Sequence, residues 1–293
     1  MEQKKQLVRS LRGAVEPSFE FHLSGGEPLM TEGILDLVEF ISHEGHRTNL
    51  VTNGFLIDEA MAKNIVKSNL DTLTISLDGA TSQTHDFIRG IKGSYARVMQ
   101  AIDYLDKFRN EAKPKISILT IIMERNLDEI LKLVDWVQED KRIEMISFQA
   151  ITQPFGEEMD RAWFMKEKNN IFWPQDTVKT SLIMDKLREL RFNGGKIGNH
   201  HNHFLHFKEY FQDPNKFLKK IKCNLGDYEF HIDPYGKTFF CCLMEPIGNI
   251  KNDNLPEIWY SRKAQNIREN VYNCGKNCHI MINCFYEDED GRE

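Results

Sequence analysis

The chain has 293 residues, 41% hydrophobic and 28% charged, ordinary globular values that exclude wholesale disorder and fibrous repeats and leave room for a large domain plus a small one. A formal charge of −6 gives no general attraction for nucleic acid. The first ten residues have no apolar core of the kind a secretory leader needs, and no stretch reaches the roughly 18 apolar residues of a membrane span, so a cytoplasmic protein with reduced thiols is expected.

The chain opens on a helix-like run, 3–11, that feeds a strand-like run, 19–23. Further strand-like runs follow at 48–52, 72–77, 116–122 and 143–149. Between them Ile34, Leu37, Val38 and Ile41 recur at helical spacing, as do Val98, Ile102 and Leu105, then Leu127, Ile130, Leu131 and Val134. Strands separated by amphipathic helices run parallel with crossovers of one hand, which predicts an α/β sheet, open or curled into a barrel. An alternating array also places a strand before the first helix, so the first βα unit reads as half present and Met1 as a doubtful start.

In such sheets ligands bind outside the carboxyl ends of the strands. Those ends carry Ser24-Gly25-Gly26-Glu27-Pro28, Thr52-Asn53-Gly54, Ser76-Leu77-Asp78-Gly79 and Gln149. Adjacent glycines let the main chain approach a ligand closely, Pro28 stiffens the exit and Glu27 supplies an acceptor. Each of these segments alone is an ordinary turn; their repetition along one rim points to a polar small molecule.

Beyond residue 155 the texture changes to Trp163, Phe164, Phe172 and Trp173, followed by a helix carrying Ile183, Leu187 and Leu190. His200, His201, His203 and His206 form a local cluster that suits a metal, although histidines beside a Gly-Asn turn are more often solvated.

All six cysteines, Cys223, Cys241, Cys242, Cys274, Cys278 and Cys284, lie in the last 71 residues. Cys223 precedes a strand-like run, 228–232, an Asp233-Pro234-Tyr235-Gly236 turn and a second run, 237–240. Antiparallel pairing about that turn brings Cys223 and Cys241 near each other, and Cys242 is expected to point the opposite way from Cys241. With the thiols of Cys274, Cys278 and Cys284 the set suits a tetrahedral zinc or an iron–sulfur cluster, and spacing alone does not choose between them.

Together these residues resemble the radical SAM superfamily, and the C-terminal part resembles its SPASM/twitch type of auxiliary-cluster domain. Gly25-Gly26-Glu27-Pro28 is similar to the motif whose backbone holds the methionine amino group of S-adenosylmethionine (SAM). Asn53, Ser76 and Asp78 fall where the family contacts ribose and methionine moieties. The run His85-Asp86-Phe87-Ile88-Arg89-Gly90, with Gly93-Ser94-Tyr95 after it, resembles the segment whose arginine approaches the SAM carboxylate. Cys223, Gly236 and Cys241 fit the opening of the SPASM/twitch pattern, and Cys274, Cys278 and Cys284 its second half.

The resemblance implies a partial (β/α)6 barrel, first strand missing, over residues 1–155, bridging helices over 156–222, and a small α+β cysteine-rich auxiliary-cluster domain over 223–293. It implies an oxidoreductase or maturase that uses SAM and an auxiliary [4Fe-4S] cluster, acts on a peptide or small metabolite, and takes electrons from a flavodoxin or ferredoxin. In the family a 5′-deoxyadenosyl radical abstracts a substrate hydrogen. The Cys-x3-Cys-x2-Cys motif for the SAM-cleaving cluster is not in this sequence, since no cysteine precedes position 223. As written, the chain is therefore expected to be inert in that reaction. A non-catalytic iron–sulfur protein derived from the same fold, or a zinc-stabilised α/β protein, are the alternatives the residues leave open.

Overall fold

The computed structural model describes residues 2–11, 19–109, 113–154, 158, 160–216, 223, 225–274 and 282–283. Its larger part is a parallel sheet in the order β1 (Glu20–Leu23), β2 (Arg47–Thr52), β3 (Thr72–Ser76), β4 (Lys115–Ile122) and β5 (Ile143–Ala150). Helices α1 (Glu2–Ser10), α2 (Ile34–His43), α3 (Glu59–Lys67), α4 (Ser82–Arg89), α5 (Ser94–Phe108) and α6 (Ile130–Glu139) precede, separate and join the strands, so the expected alternation is present. Each observed strand lies within a residue or so of its expected position.

The two faces of this sheet differ. Because side chains alternate along a strand, the register Leu50↔Leu73↔Ile116 and Thr52↔Ile75↔Ile118 puts one apolar set on a single face, where it packs on Val38, Ile41, Ile65, Ile102 and Leu105 and is almost fully buried. The opposite face carries Asn49, Thr72, Thr74, Ser76, Ser117, Ser147 and Gln149, mostly half-buried. Parallel sheets usually bury apolar residues on both sides. On this one the second face is mixed, with Val51, Leu119, Ile121 and Met145 among those polar residues, and the alternation Thr72-x-Thr74-x-Ser76 is its polar trace in the sequence.

After β5 come α7 (Glu167–Asn170), α8 (Thr177–Phe192) and α9 (His203–Gln212), which pack Trp163, Trp173, Phe204, Phe207 and Tyr210 into the large core. The C-terminal part is an antiparallel sheet of β6 (His231–Ile232), β7 (Lys237–Phe239) and β8 (Gly248–Asn249) with α10 (Leu225–Tyr228), α11 (Leu255–Tyr260) and α12 (Arg262–Tyr272). Its core is separate: Cys223, Leu225, Phe240, Ile247, Ile258, Ile267 and Val271. The expected strand at 228–232 is a helical turn and then a short strand. Gly226 in that turn lies so close under α12 that a side chain there would meet Arg268 Cγ at 2.9 Å, and this packing overrides the β-propensity of Tyr228 and Phe230.

Phe19 and Leu11 meet Phe230, Leu255 and Trp259 where the two parts join. No helix among the described residues is long and apolar enough to cross a membrane.

Candidate cofactor rim and cysteine centre

The turn after β1 is built on left-handed backbone. Gly25 has φ +90° and Gly26 φ +49°, and a Cβ built on either would meet nothing within 4 Å. The backbone is thus in a conformation that side chains resist, and it faces open space that a ligand can enter. Glu27, expected to serve a ligand, instead joins two strands. Its Oε1 accepts from Thr52 Oγ1 at 2.7 Å and from the Leu29 N–H at 3.2 Å, while Oε2 accepts from the Asn53 N–H at 2.9 Å. Pro28 is buried in the short helical turn that follows. Asn53 is exposed; its Oδ1 accepts from the Phe55 N–H, a turn that leaves the amide nitrogen at the rim.

The rim after β3 repeats this design. Asp78 is 1% exposed, and its carboxylate meets Arg89 Nη2 at 2.7 Å and the Ile121 N–H at 2.9 Å. Burial pushes the Asp78 carboxyl up, and Arg89 and the Ile121 N–H pull it back. The Asp78 N–H donates to His85 Nδ1, and the Asp78 carbonyl accepts from Asn126 Nδ2. Burial, then the Arg89 charge, push His85 down to about 4, so it stays neutral and keeps its acceptor. Arg89 Nε is buried with no hydrogen-bond partner among the described residues.

Two carboxylates absent from the sequence expectation complete the pattern. Glu129 accepts from the Ala80 and Thr81 N–H groups and from both Thr81 and Thr84 hydroxyls. Asp86 takes the Gly93 and Tyr95 N–H groups and the Ser94 hydroxyl at the start of α5, and those backbone bonds hold its carboxyl below the usual range.

Glu27, Asp78, Asp86 and Glu129 are thus engaged inside the protein and fix the rim loops. Left without such ties among the described residues are the Gly25–Gly26 backbone facing open space, the exposed Asn53 amide nitrogen, the half-buried Ser76, which makes no side-chain hydrogen bond, and the exposed Arg97. Arg97 lies on α5, its guanidinium carbon 5.6 Å from the Phe55 ring centre, with no ion-pair partner among the described residues. The motif reading passed over it because the family-like run drew attention to Arg89.

In the C-terminal part the Asp233–Gly236 turn pairs His231 with Phe239 and Ile232 with Thr238, and Gly236 takes φ +89°. Cys223 is buried in the small core and Cys241 packs against that core; the antiparallel pairing expected to bring the two together covers only His231–Ile232 and Thr238–Phe239, and α10 rather than a strand follows Cys223. Cys241 and Cys242 follow β7 in a turn rather than alternating along it: Cys242 is exposed, and Cys241 Sγ accepts from the Leu243 N–H at 3.4 Å. The Cys242 thiol, then burial, push Cys241 up. Cys274 follows α12 and is half-buried, while Cys278 and Cys284 lie outside the described residues.

Thiols are the right donors for an iron–sulfur cluster or zinc. Among the described residues, however, no three His, Cys, Asp or Glu side chains come together as a metal site. The histidine cluster is not solvated as a whole. His203 is buried with Nε2 2.6 Å from the Ile282 carbonyl, whereas His200 and His201 stack at 4.0 Å between ring centres.

Comparison with known proteins adds an independent line. Residues 1–137 match the Radical SAM superfamily, and residues 223–285 match SPASM, an iron–sulfur cluster-binding domain. An AdoMet-dependent heme synthase of Methanosarcina barkeri is 27% identical over 266 residues, covering 86% of this chain and 72% of that one. A PqqA peptide cyclase of Rhizobium meliloti is 23% identical over 252 residues, covering 84% and 61%. Two solved structures share the fold. Native anSMEcpe with bound AdoMet and a peptide has TM-score 0.64 at 19% identity, over 97% of this chain and 79% of that one. Streptococcus suis SuiB bound to S-adenosylmethionine has TM-score 0.65 at 17% identity, over 91% and 60%. This chain therefore spans about three fifths to four fifths of the relatives it matches. The chain belongs to the radical SAM superfamily and carries a SPASM iron–sulfur cluster-binding domain at its C-terminal end.

Proposed function

We propose that this chain binds SAM at the rim of β1, β2 and β3 and holds an auxiliary [4Fe-4S] cluster on its C-terminal cysteines, as part of an enzyme that modifies a peptide. The observation that carries the reading is the open, left-handed Gly25–Gly26 turn tied through Glu27 to Asn53. Its N–H and carbonyl groups suit the polar methionine end of SAM, with Asn53 and Ser76 alongside. Arg97 suits the cofactor's carboxylate, because Arg89 is already paired with Asp78. Pro28 and the Asp78–Arg89 pair hold the rim in place. Cys223 and Cys241 supply the first thiolates to the cluster, and Cys274, Cys278 and Cys284 the others.

The substrate reading rests on the polar residues of the sheet's second face. Ser76, Ser117, Ser147 and Gln149 make no side-chain hydrogen bond among the described residues, and such groups favour an amide-rich ligand over a porphyrin. Relatives of both kinds exist, a peptide cyclase and a heme synthase. In this superfamily SAM supplies one-electron chemistry when it sits on an iron with an open coordination position, and a flavodoxin or ferredoxin would suit as the electron source. Residues 1–222 contain no cysteine, which favours a second reading for these 293 residues by themselves: SAM binding without SAM cleavage.

Calorimetric titration with SAM tests the rim. Gly26→Val, which forces a β-branched residue into φ +49°, is expected to weaken binding at least about tenfold, a difference of about 1.4 kcal/mol. Unchanged affinity would remove the rim from the site.

A further inference from the structure

The turn that follows β7 gathers two adjacent thiols at one corner. The Met244 N–H donates to the Cys241 carbonyl at 3.1 Å, which makes Cys241 to Met244 a tight turn with Cys242 and Leu243 at its two central positions. The Leu243 N–H also donates to Cys241 Sγ at 3.4 Å, so the Cys241 side chain folds forward over the turn instead of standing out from a strand. There it shares a hydrogen bond with the Cys242 thiol. Along a strand two neighbours would send their side chains to opposite faces; the turn brings these two together. Neither is in a disulfide, Cys242 is exposed and Cys241 half-buried, so the pair is open to solvent from the Cys242 side.

Two sulfurs placed in this way can be joined directly or through a third atom, and geometry favours the second. Consecutive Cα atoms are about 3.8 Å apart, short of the roughly 4.4–6.8 Å that a relaxed disulfide spans, so a direct S–S bond here is strained and readily reduced. One soft atom between the sulfurs lengthens the bridge and relieves that strain. Two thiols are too few for a tetrahedral zinc, which takes four ligands, and among the described residues no third His, Cys, Asp or Glu joins them as a metal site. The centre that fits is thiophilic, takes two sulfurs and carries its remaining substituent itself. A trivalent arsenic bearing one organic group meets all three conditions.

We propose that Cys241 and Cys242 form a dithiol site for monosubstituted trivalent arsenicals. With an arylarsine oxide, two As–S bonds form as two S–H bonds and the As=O bond break. The two protons leave with the oxide oxygen as one molecule of water, and arsenic stays trivalent, so no oxidant or reductant is needed. Once the first sulfur is bound the second attaches within the chain, which raises affinity over that of a single thiol by about 10²–10⁴. The site stands whether or not Cys241 also serves a cluster, and the chain is therefore tested free of iron.

Phenylarsine oxide is added to the full, reduced, iron-free chain, and the adduct is located by mass spectrometry after trypsin. Cleavage after Lys237 and Lys251 releases 238–251, a peptide whose only cysteines are these two. One phenylarsenic group on that peptide is expected from the wild-type chain. Its retention is then measured against increasing glutathione, a competing monothiol. Cys242→Ser changes an exposed side chain and is expected to keep the circular dichroism of wild type while holding the group at least about 100-fold more weakly, as is Cys241→Ser. A wild-type 238–251 peptide that carries no phenylarsenic, or a Cys242→Ser chain that retains it as well as wild type, would overturn the site.

Discussion

Glu27 and Asp78 stand in family-like motifs, and both are turned inward. In the sequence each is a carboxylate beside glycine at a strand end, which reads as an acceptor for a ligand or as a plain turn. The partners that decide the matter, Thr52 and Asn53 for Glu27 and Ile121 for Asp78, lie 25, 26 and 43 residues away and are brought close by strand register, which no local pattern encodes. Glu27→Gln puts an amide N–H₂ against the Asn53 N–H or gives up the Thr52 hydroxyl. It is expected to weaken SAM binding about tenfold by calorimetry, equivalent to about 1.4 kcal/mol, with the fold retained by circular dichroism. A variant that binds as well as wild type would show that the two rims do not need this tie. For the buried pair, Arg89→Leu strands a charge on Asp78 and is expected to cost about 3–5 kcal/mol in urea unfolding, whereas a cost below about 1 kcal/mol would mean that the pair is not buried in solution.

The strands of the large sheet were legible because each is a short apolar run bounded by turn residues, and the helices because their apolar positions recur at helical spacing. The elements that escaped are those whose identity depends on distant packing. The run 228–232 has the aromatic and β-branched residues of a strand, yet its first residue closes α10, because Gly226 admits the Arg268 side chain. Arg268 lies 4.5 Å from the ring centre of Phe240 and 4.3 Å from that of Trp259, and donates to the Gly226 and Trp259 carbonyls at 2.9 and 3.0 Å. A charged residue in an amphipathic helix gives no hint of that role. Arg268→Lys keeps the charge and loses the planar stack and the paired donors, so it is expected to destabilise the C-terminal part by about 2 kcal/mol, followed by tryptophan fluorescence in denaturant. Equal stability would contradict the stack.

At the scale of the whole molecule, the division into a cysteine-free α/β part and a cysteine-bearing part was legible from the sequence, while the return of residues 282–283 to the large core was not. Two buried histidines, His85 and His203, both pushed down to about 4, set an acid limit on the fold. Their folded values lie below the unfolded value, so the unfolded chain binds the protons first. Stability is full above pH ~6.5 and falls as pH drops toward 4, by up to about 1.4 kcal/mol per pH unit for each histidine. His22 and His231 are raised by Glu20 and Glu229 and act in the opposite sense, but they are exposed and salt weakens them. Urea midpoints between pH 4 and 7 check this, and a flat profile would contradict it. The central claim, a SAM-family fold whose only cysteine-held cluster in this sequence is the C-terminal one, is tested most directly by iron and sulfide content with EPR of the dithionite-reduced chain, before and after adding SAM. About four irons per chain and a signal that SAM leaves unchanged are predicted. Zinc in place of iron, or a signal that SAM perturbs, would contradict it.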